Sequence, residues 1–465
     1  MSSCQPRGPG AGAVVDVQPS QPSQPASGPL PGPAANPEHE AAAQAWNAGV
    51  GTTTKLKVLF SDAGRLNTLP HGPRAVIVGA GISGLAAAAG LHRAGWRVGI
   101  YEQTRAPDHD AAHMGLALSA TAVSSLRAIG ADVGVLAAGE PIRKRRVLLS
   151  TGRVIRETSA AEEELRHGVP GVMLTRADLL GALRALVEPE LVHSQHTFSA
   201  MQEEAVDAAA TLLKPGGQPV VARADAIIGA DGAQSLVRAA RVQSQSNDPI
   251  RWQVIFGIAE APISLYPAGL LSRVWGHGTR MGMYRIPPRR REIASPHRVA
   301  WWLAREVWSN EPRATDAAAL RQHALAMTDG WWHVPRDLIM STPDESFRAT
   351  DTMTDAHASQ HSASTGRVTL LGDAAHPLWP IVDDGAAMAV RDGMLLTAML
   401  AEARPGDIAT ALRAFEARRD VNVRAAVRRA RLLTPIRNSV LASLRAGLMR
   451  VMPGSVIAGS LEAHG

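Results

Sequence analysis

The hexapeptide Gly79-Ala80-Gly81-Ile82-Ser83-Gly84 can do chemistry with its backbone alone. It follows Ala75-Val76-Ile77-Val78, an apolar β-branched run of the kind that becomes a buried parallel strand, and leads into an Ala-rich stretch from Leu85 to Ala94 that favours helix. A helix starting here presents unpaired N–H groups and partial positive charge, which suit a pyrophosphate. In such a loop Gly79 permits the tight turn, Gly81 lets a phosphate approach the backbone, and Gly84 lets the helix lie close on the strand. Gly95 ends the helix, and Arg97-Val98-Gly99-Ile100-Tyr101-Glu102 reads as the second strand of a βαβ unit. Glu102 then falls about 20 residues on, where a carboxylate accepts hydrogen bonds from ribose hydroxyls. The unit predicts dinucleotide binding and does not separate FAD from NAD.

Two later segments repeat the arrangement of strand, small-residue turn and acid. Gly229-Ala230-Asp231-Gly232-Ala233-Gln234-Ser235-Leu236-Val237-Arg238 follows Ala226-Ile227-Ile228, and Leu371-Gly372-Asp373-Ala374-Ala375-His376-Pro377 follows Arg367-Val368-Thr369-Leu370. Asp231 and Asp373 each stand at a strand-to-loop junction, where an Asp either meets a ligand or simply caps a turn or helix. His376 reads either as a proton-transfer group or as part of the loop.

With the first loop, these two segments resemble the three fingerprints of the FAD-dependent aromatic hydroxylases, the group A flavin monooxygenases that include salicylate hydroxylase-like and zeaxanthin epoxidase-like enzymes. The resemblance runs from about Arg74 to about Arg419, and Leu174-Thr175-Arg176-Ala177-Asp178-Leu179-Leu180 resembles the family's Arg-x-x-Leu helix start. It implies FAD as cofactor, NAD(P)H and O2 as co-substrates, and hydroxylation or epoxidation of a small aromatic or isoprenoid-like molecule. It also implies Asp373 on the ribityl chain, Asp231 near the pyrophosphate and Arg176 near the flavin, with His376 in the loop under the ring. The cofactor-binding set it points to is Gly79, Ala80, Gly81, Ser83, Gly84, Glu102, Arg105, Arg176, Asp231, Gly372, Asp373, Pro380, Asp384, Gly385 and Ala386. No protein nucleophile is implied and no metal.

The chain departs from the family just past the third fingerprint. Where the family runs Gly-Gln-Gly-Ala-Asn and later Glu-Asp-Ala, this sequence has Asp383-Asp384-Gly385-Ala386-Ala387 and Arg391-Asp392-Gly393. In the family that helix N-terminus faces the pyrimidine edge of the flavin, where its dipole helps the reduced ring carry negative charge. Carboxylates there would oppose that charge and lower the reduction potential, unless Asp384 turns away to cap a helix starting near Gly385.

These turns demand an α/β fold: a Rossmann-type FAD-binding domain, a second lobe of mainly antiparallel strands, and C-terminal helices. Residues 1–72 are Pro-, Gly- and Ser-rich and read as a disordered tail, with Arg7 the sole Lys or Arg before Lys55, which argues against a transit peptide. The expected boundaries are 73–245 and 361–415 for the FAD-binding domain, 246–360 for the lobe, and 416–465 for the terminal helices. Seven of the ten tryptophans fall between 250 and 350, so aromatic packing must dominate that lobe, as core or as substrate wall. Ile286-Pro287 resembles the family's strand-end proline near the ring. Gly330-Trp331-Trp332-His333-Val334-Pro335 lacks the spacing of the flavin halogenase signature.

A formal charge of +6, with Arg spread along the chain, gives no nucleic-acid footprint. Cys4 is the single cysteine, which excludes an intrachain disulfide. The sequence reads as soluble and not secreted, cytoplasmic or organellar. The basic, Leu-containing segment from Arg424 to Arg450 reads as amphipathic helix, packed on the FAD domain or touching a membrane surface. Three other readings stay open: a flavin reductase or oxidase without oxygen transfer, a non-catalytic FAD-binding module, and an NAD-dependent dehydrogenase, which the two later turns oppose.

Overall fold

A strand that is apolar along its whole length is stable only where both faces of its sheet are covered, and the β-branched run before the glycine loop meets that condition. In the computed structural model, which describes residues 72–105, 109–241, 250–260, 265–276, 278–288, 298–307, 314, 316–354, 366–377 and 385–433, strand Arg74–Val78 lies at the centre of a five-stranded sheet. It pairs in parallel with Ala226–Gly229 on one side and Arg97–Glu102 on the other. Val368–Leu370 and Val192–Ser194 extend the sheet at its two edges, also in parallel.

Alternation divides the side chains between two layers. Ile77, Ile100 and Ile228 face helices Ile82–Arg93 and Gly385–Ala401, whereas Val76, Val78 and Ile227 face an antiparallel sheet of Thr197–Glu203, Ala208–Leu213 and Pro219–Ala224. The two helices cross closely because small residues meet: a Cβ on Gly90 would lie 2.3 Å from Thr397 Oγ1, and one on Gly393 would lie 2.9 Å from Ala87 N. The family's alanine at position 393 would not fit this crossing unchanged.

The tryptophan-rich lobe is a seven-stranded sheet in the order Arg348–Thr354, Ile250–Glu260, Arg298–Val307, Thr279–Ile286, Leu270–Trp275, Lys144–Leu149, Val154–Ser159. All neighbours are antiparallel except Leu270–Trp275 with Lys144–Leu149. The last two strands come from within the segment expected to be purely FAD domain. A parallel pairing between residues so far apart in sequence has no local signature, which is why the pattern at 246–360 alone did not reveal it.

The sheet sorts its aromatics by strand parity. Trp252, Trp275, Tyr284 and Trp302 lie on one face, together with Met173 and Ala117 from a small sheet of Gly115–Leu118, Val172–Thr175 and Glu140–Pro141. Gly115 marks the contact, since a Cβ there would lie 2.4 Å from the Ala300 Cβ and 2.9 Å from the Tyr284 hydroxyl. Trp301 faces the other way, where it packs with Trp331 and Trp332 beneath helices Ala317–Met327 and His333–Met340 and donates from Nε1 to Thr342 Oγ1 at 2.9 Å.

Helix Ile408–Leu433 closes the FAD-binding part and straddles the boundary expected at 415/416. Its Ile408, Leu412, Phe415, Glu416, Arg419 and Val423 are buried, so this stretch packs on the protein. The rest of the segment to Arg450 lies outside the residues whose side chains are described. Among the described residues no helix is long and apolar enough to cross a membrane.

Candidate functional site

Three turns leave the same edge of the parallel sheet side by side, and backbone hydrogen bonds lock them there. Gly79 N donates to Tyr101 O at 2.8 Å, Ala230 N to Val78 O at 2.7 Å, and Leu371 N to Gly229 O at 2.8 Å. The last two bonds join the strands that open the three glycine-and-acid motifs, and the first ties the glycine loop to strand Arg97–Glu102.

In the first turn two glycines are required by the chain itself. Gly79 has φ +104°, and a Cβ on it would lie 2.4 Å from Ala230 O; one on Gly84 would lie 2.1 Å from Gly79 O. Gly81 is different. Its backbone is ordinary extended chain at φ −75° and ψ −173°, and the nearest atom to a Cβ there is Ala230 O at 3.9 Å. Nothing among the described residues needs glycine at 81. As the N-cap of helix Ile82–Arg93 it makes no side-chain cap, and the helix has no acid in its first turn, so its first N–H groups are left for a ligand. An anionic pyrophosphate fits this seat by space and by charge.

Glu102 stands over the loop. Its Oε2 accepts from Ala80 N at 2.8 Å, and its Oε1 accepts from Thr104 N and Thr104 Oγ1 at 2.9 Å each. Each oxygen keeps acceptor capacity beyond these bonds. Arg105, three residues on, is exposed.

In the second turn Asp231 caps. It accepts from Ser235 Oγ at 2.5 Å and Val237 N at 3.1 Å, at the start of helix Leu236–Arg241. The residue that ties this turn to the third is Arg238, whose Nη1 donates to Ala374 O at 2.7 Å and Asp373 O at 3.2 Å, while Nη2 donates to Ala233 O. Sequence reasoning quoted Arg238 as the end of the motif and gave it no task. A basic residue closing a run of turn residues was the available signal.

The third turn also touches the first. Gly372 has φ +53°, and a Cβ on it would lie 3.0 Å from Oγ of the buried Ser83. Asp373 is open to solvent, yet the surrounding protein raises its carboxyl above the usual range. Desolvation is the main cause and Asp392 adds to it, while His376, Arg176 and Arg238 pull the other way. A side chain on the floor of a cleft behaves so, meeting solvent while lying within low-dielectric protein. Arg176 is brought into this field from the start of helix Arg176–Arg184, which Thr175 and Asp178 fix with a reciprocal capping box.

Beneath the turn lies a buried pair. Asp392 Oδ2 accepts from Gly372 N at 2.9 Å and meets His376 Nε2 at 2.6 Å, with His376 at 3 % and Asp392 at 5 % exposure. Burial alone would push the Asp392 carboxyl up, but His376, Arg419 and the Gly372 N–H together hold it below the usual range. His376 is therefore an anchor of the loop in this structure. Asp392 had been noted only as part of a departure from the family, because a contact from a helix 16 residues on leaves no mark in a local pattern. Gly385 is exposed and Ala386 half-buried at the first described turn of helix Gly385–Ala401. Pro380, Asp383 and Asp384 lie outside the described residues.

A glycine loop on the central strand of a parallel sheet, with two further turns beside it, defines a Rossmann-type dinucleotide-binding protein. Residues 74–430 match the model of the FAD binding domain family. The chain is 30% identical over 388 residues to a 3-amino-4-hydroxybenzoate 2-monooxygenase of Streptomyces platensis, covering 78% of this chain and 87% of that one. It is 26% identical over 353 residues to a 6-hydroxynicotinate 3-monooxygenase of Bordetella bronchiseptica, covering 74% and 87%. Its fold is similar to that of Klebsiella pneumoniae HpxO in complex with FAD and uric acid, with a TM-score of 0.70 at 23% identity, covering 84% and 95%. The chain belongs to the FAD binding domain family, within its group of FAD-dependent aromatic monooxygenases.

Proposed function

We propose that this protein uses NAD(P)H and O2 to hydroxylate a small, flat aromatic molecule at an FAD held by the three turns. The observation that carries the reading is the convergence of the turns at Gly79–Gly84, Ala230–Arg238 and Gly372–His376 on one sheet edge, where Ala230 N→Val78 O and Leu371 N→Gly229 O lock their three strands together. In this reading the Gly81 seat and the N-terminus of helix Ile82–Arg93 take the pyrophosphate, and Ala80, Ser83 and Gly84 shape the loop. Glu102 takes the ribose, with Arg105 beside it. Asp373 and Gly372 hold the ribityl chain, Asp231 and Arg238 set the second turn, and Arg176 stands near the ring. Gly385 and Ala386 open the helix that points at the pyrimidine edge; Pro380 and Asp384 complete the set from outside the described residues.

Bound FAD supplies hydride acceptance and oxygen activation. The protein's own contribution is placement and a dry wall. Trp252, Trp275, Tyr284 and Trp302 are packed in the core on the sheet face turned toward the FAD-binding part and stiffen that face from within. The two curated relatives named above act on flat rings, which favours an aromatic over an isoprenoid substrate.

The test is anaerobic titration of the FAD-loaded protein with NADH and NADPH across a panel of phenols, hydroxypyridines and quinolones. Ligand-accelerated bleaching followed by oxygenated product in air supports the reading. H2O2 without product, whatever the ligand, would instead favour an oxidase, the outcome to which Asp383-Asp384 gives weight. No reduction by either nucleotide would remove the proposal.

A further inference from the structure

We propose that His376 and Asp392 are positioning residues, a buried clasp that fixes the Gly372–Asp373 turn and thereby sets how tightly the chain retains FAD. The inference rests on the placement of Asp373 on the ribityl chain. Asp392 reaches up from helix Gly385–Ala401 and uses one oxygen for both Gly372 N and His376 Nε2, at 2.9 and 2.6 Å. The turn is thus gripped at both ends, at Gly372 before Asp373 and at His376 after it. His376 N also donates to Gly372 O at 2.9 Å, which closes the turn on itself.

Three observations make this more than local packing. Gly372 takes a left-handed backbone, φ +53°, which a glycine adopts freely and also leaves freely, so an outside restraint is needed to hold it. The restraint is a buried carboxylate held below the usual range, and hydrogen bonds to a charged group in such a place are strong. Finally, His376 Nδ1 is buried and has no hydrogen-bond partner among the described residues, where Asp392 is the ring's one partner. Loss of that contact removes the ring's described hydrogen bond and one restraint on the turn, leaving Arg238 to hold the carbonyls of Asp373 and Ala374. Helix Gly385–Ala401 also crosses the pyrophosphate helix at Gly393 and Gly90, so the clasp ties Asp373 to the frame that carries the glycine loop.

The experiment is a double-mutant cycle on the full chain, read as the dissociation constant of FAD from fluorescence quenching of the reconstituted protein. His376→Leu and Asp392→Ala are each expected to raise the constant by about tenfold in the native background and by less than about twofold in an Asp373→Ala background, because the clasp acts through that carboxylate. His376→Gln, which keeps a donor near the Nε2 position, is expected to stay within about threefold of the native value. An equal effect in both backgrounds, or an unchanged constant with only a lower melting temperature, would overturn the clasp as a positioning device. Should the truncations fail to fold, His376→Gln and Asp392→Asn decide. Native-like retention in the first with at least about threefold weaker retention in the second supports the clasp, and identical retention contradicts it. If Asp373→Ala alone leaves FAD affinity untouched, the ribityl placement is what fails, and the cycle reports that separately.

Discussion

The two turns that bracket the site are held by opposite means. The Gly79–Gly84 loop is fixed by side chains that are missing: backbone atoms approach so closely that a Cβ on Gly79 or Gly84 would lie 2.4 or 2.1 Å from a carbonyl oxygen. The Gly372–His376 turn is fixed by side chains that are present, a buried acid and imidazole 2.6 Å apart. Steric fixation is insensitive to pH and salt, and any added atom breaks it. Electrostatic fixation tolerates volume changes and responds to titration. On the proposed placement of FAD, a cofactor laid across both turns would meet one fixed by shape and one fixed by charge.

The steric turn should break hardest. Gly84→Ala and Gly79→Ala are each expected to cost about 3 kcal/mol or more of stability and to yield protein without FAD, as judged by chemical denaturation and the flavin-to-protein absorbance ratio. In Gly79→Ala the positive φ adds strain to the clash.

The electrostatic turn sharpens the comparison, because its two acids should respond with opposite sign. Asp392 is held below the ordinary carboxylate range, so it contributes stability that is present above that range and lost as pH falls through its lowered value. Asp373 is raised, so its ionisation weakens the fold as pH climbs from the ordinary value through the raised one. Asp392→Asn is therefore expected to lower apoprotein stability at neutral pH by about 3 kcal/mol and to flatten its acid limb. Asp373→Asn should leave the apoprotein unchanged or slightly more stable while weakening FAD. Thermal melts of the two apoproteins between about pH 4 and 8 give the answer. Equal losses would mean that the turns do not differ in kind.

A smaller effect is expected where the helices cross. Gly393→Ala places a methyl 2.9 Å from Ala87 N and 3.0 Å from the Ala86 Cβ, so a destabilisation of about 1–2 kcal/mol is expected with FAD stoichiometry retained, measured by denaturation of the loaded protein.

The same contrast explains what the sequence disclosed. The parallel sheet and the glycine loop were legible because each depends on residues within one βαβ unit, and Gly79 and Gly84 do there what their spacing requires, with Glu102 at the strand end bonded to Ala80 N of the loop. The capping role of Asp231 was legible as one of two alternatives, and its contacts to Ser235 and Val237 realise it. Asp392 and Arg238 were not assigned, since their work is done on turns 20 and about 135 residues away. The strands Lys144–Leu149 and Val154–Ser159 were missed for the same reason. The aromatic residues of the lobe could not be divided between the two faces of its sheet without the register. Strand parity then separates Trp252, Trp275 and Trp302 from Trp301.

The account depends on a pyrophosphate seat open at Gly81, and one substitution tests it. Gly81→Ala adds a methyl into space where the nearest protein atom is 3.9 Å away, on a backbone any residue adopts. The apoprotein should therefore melt within about 1 °C of the native one, while FAD binds at least about tenfold more weakly by fluorescence titration. FAD affinity equal to the native protein's would contradict it.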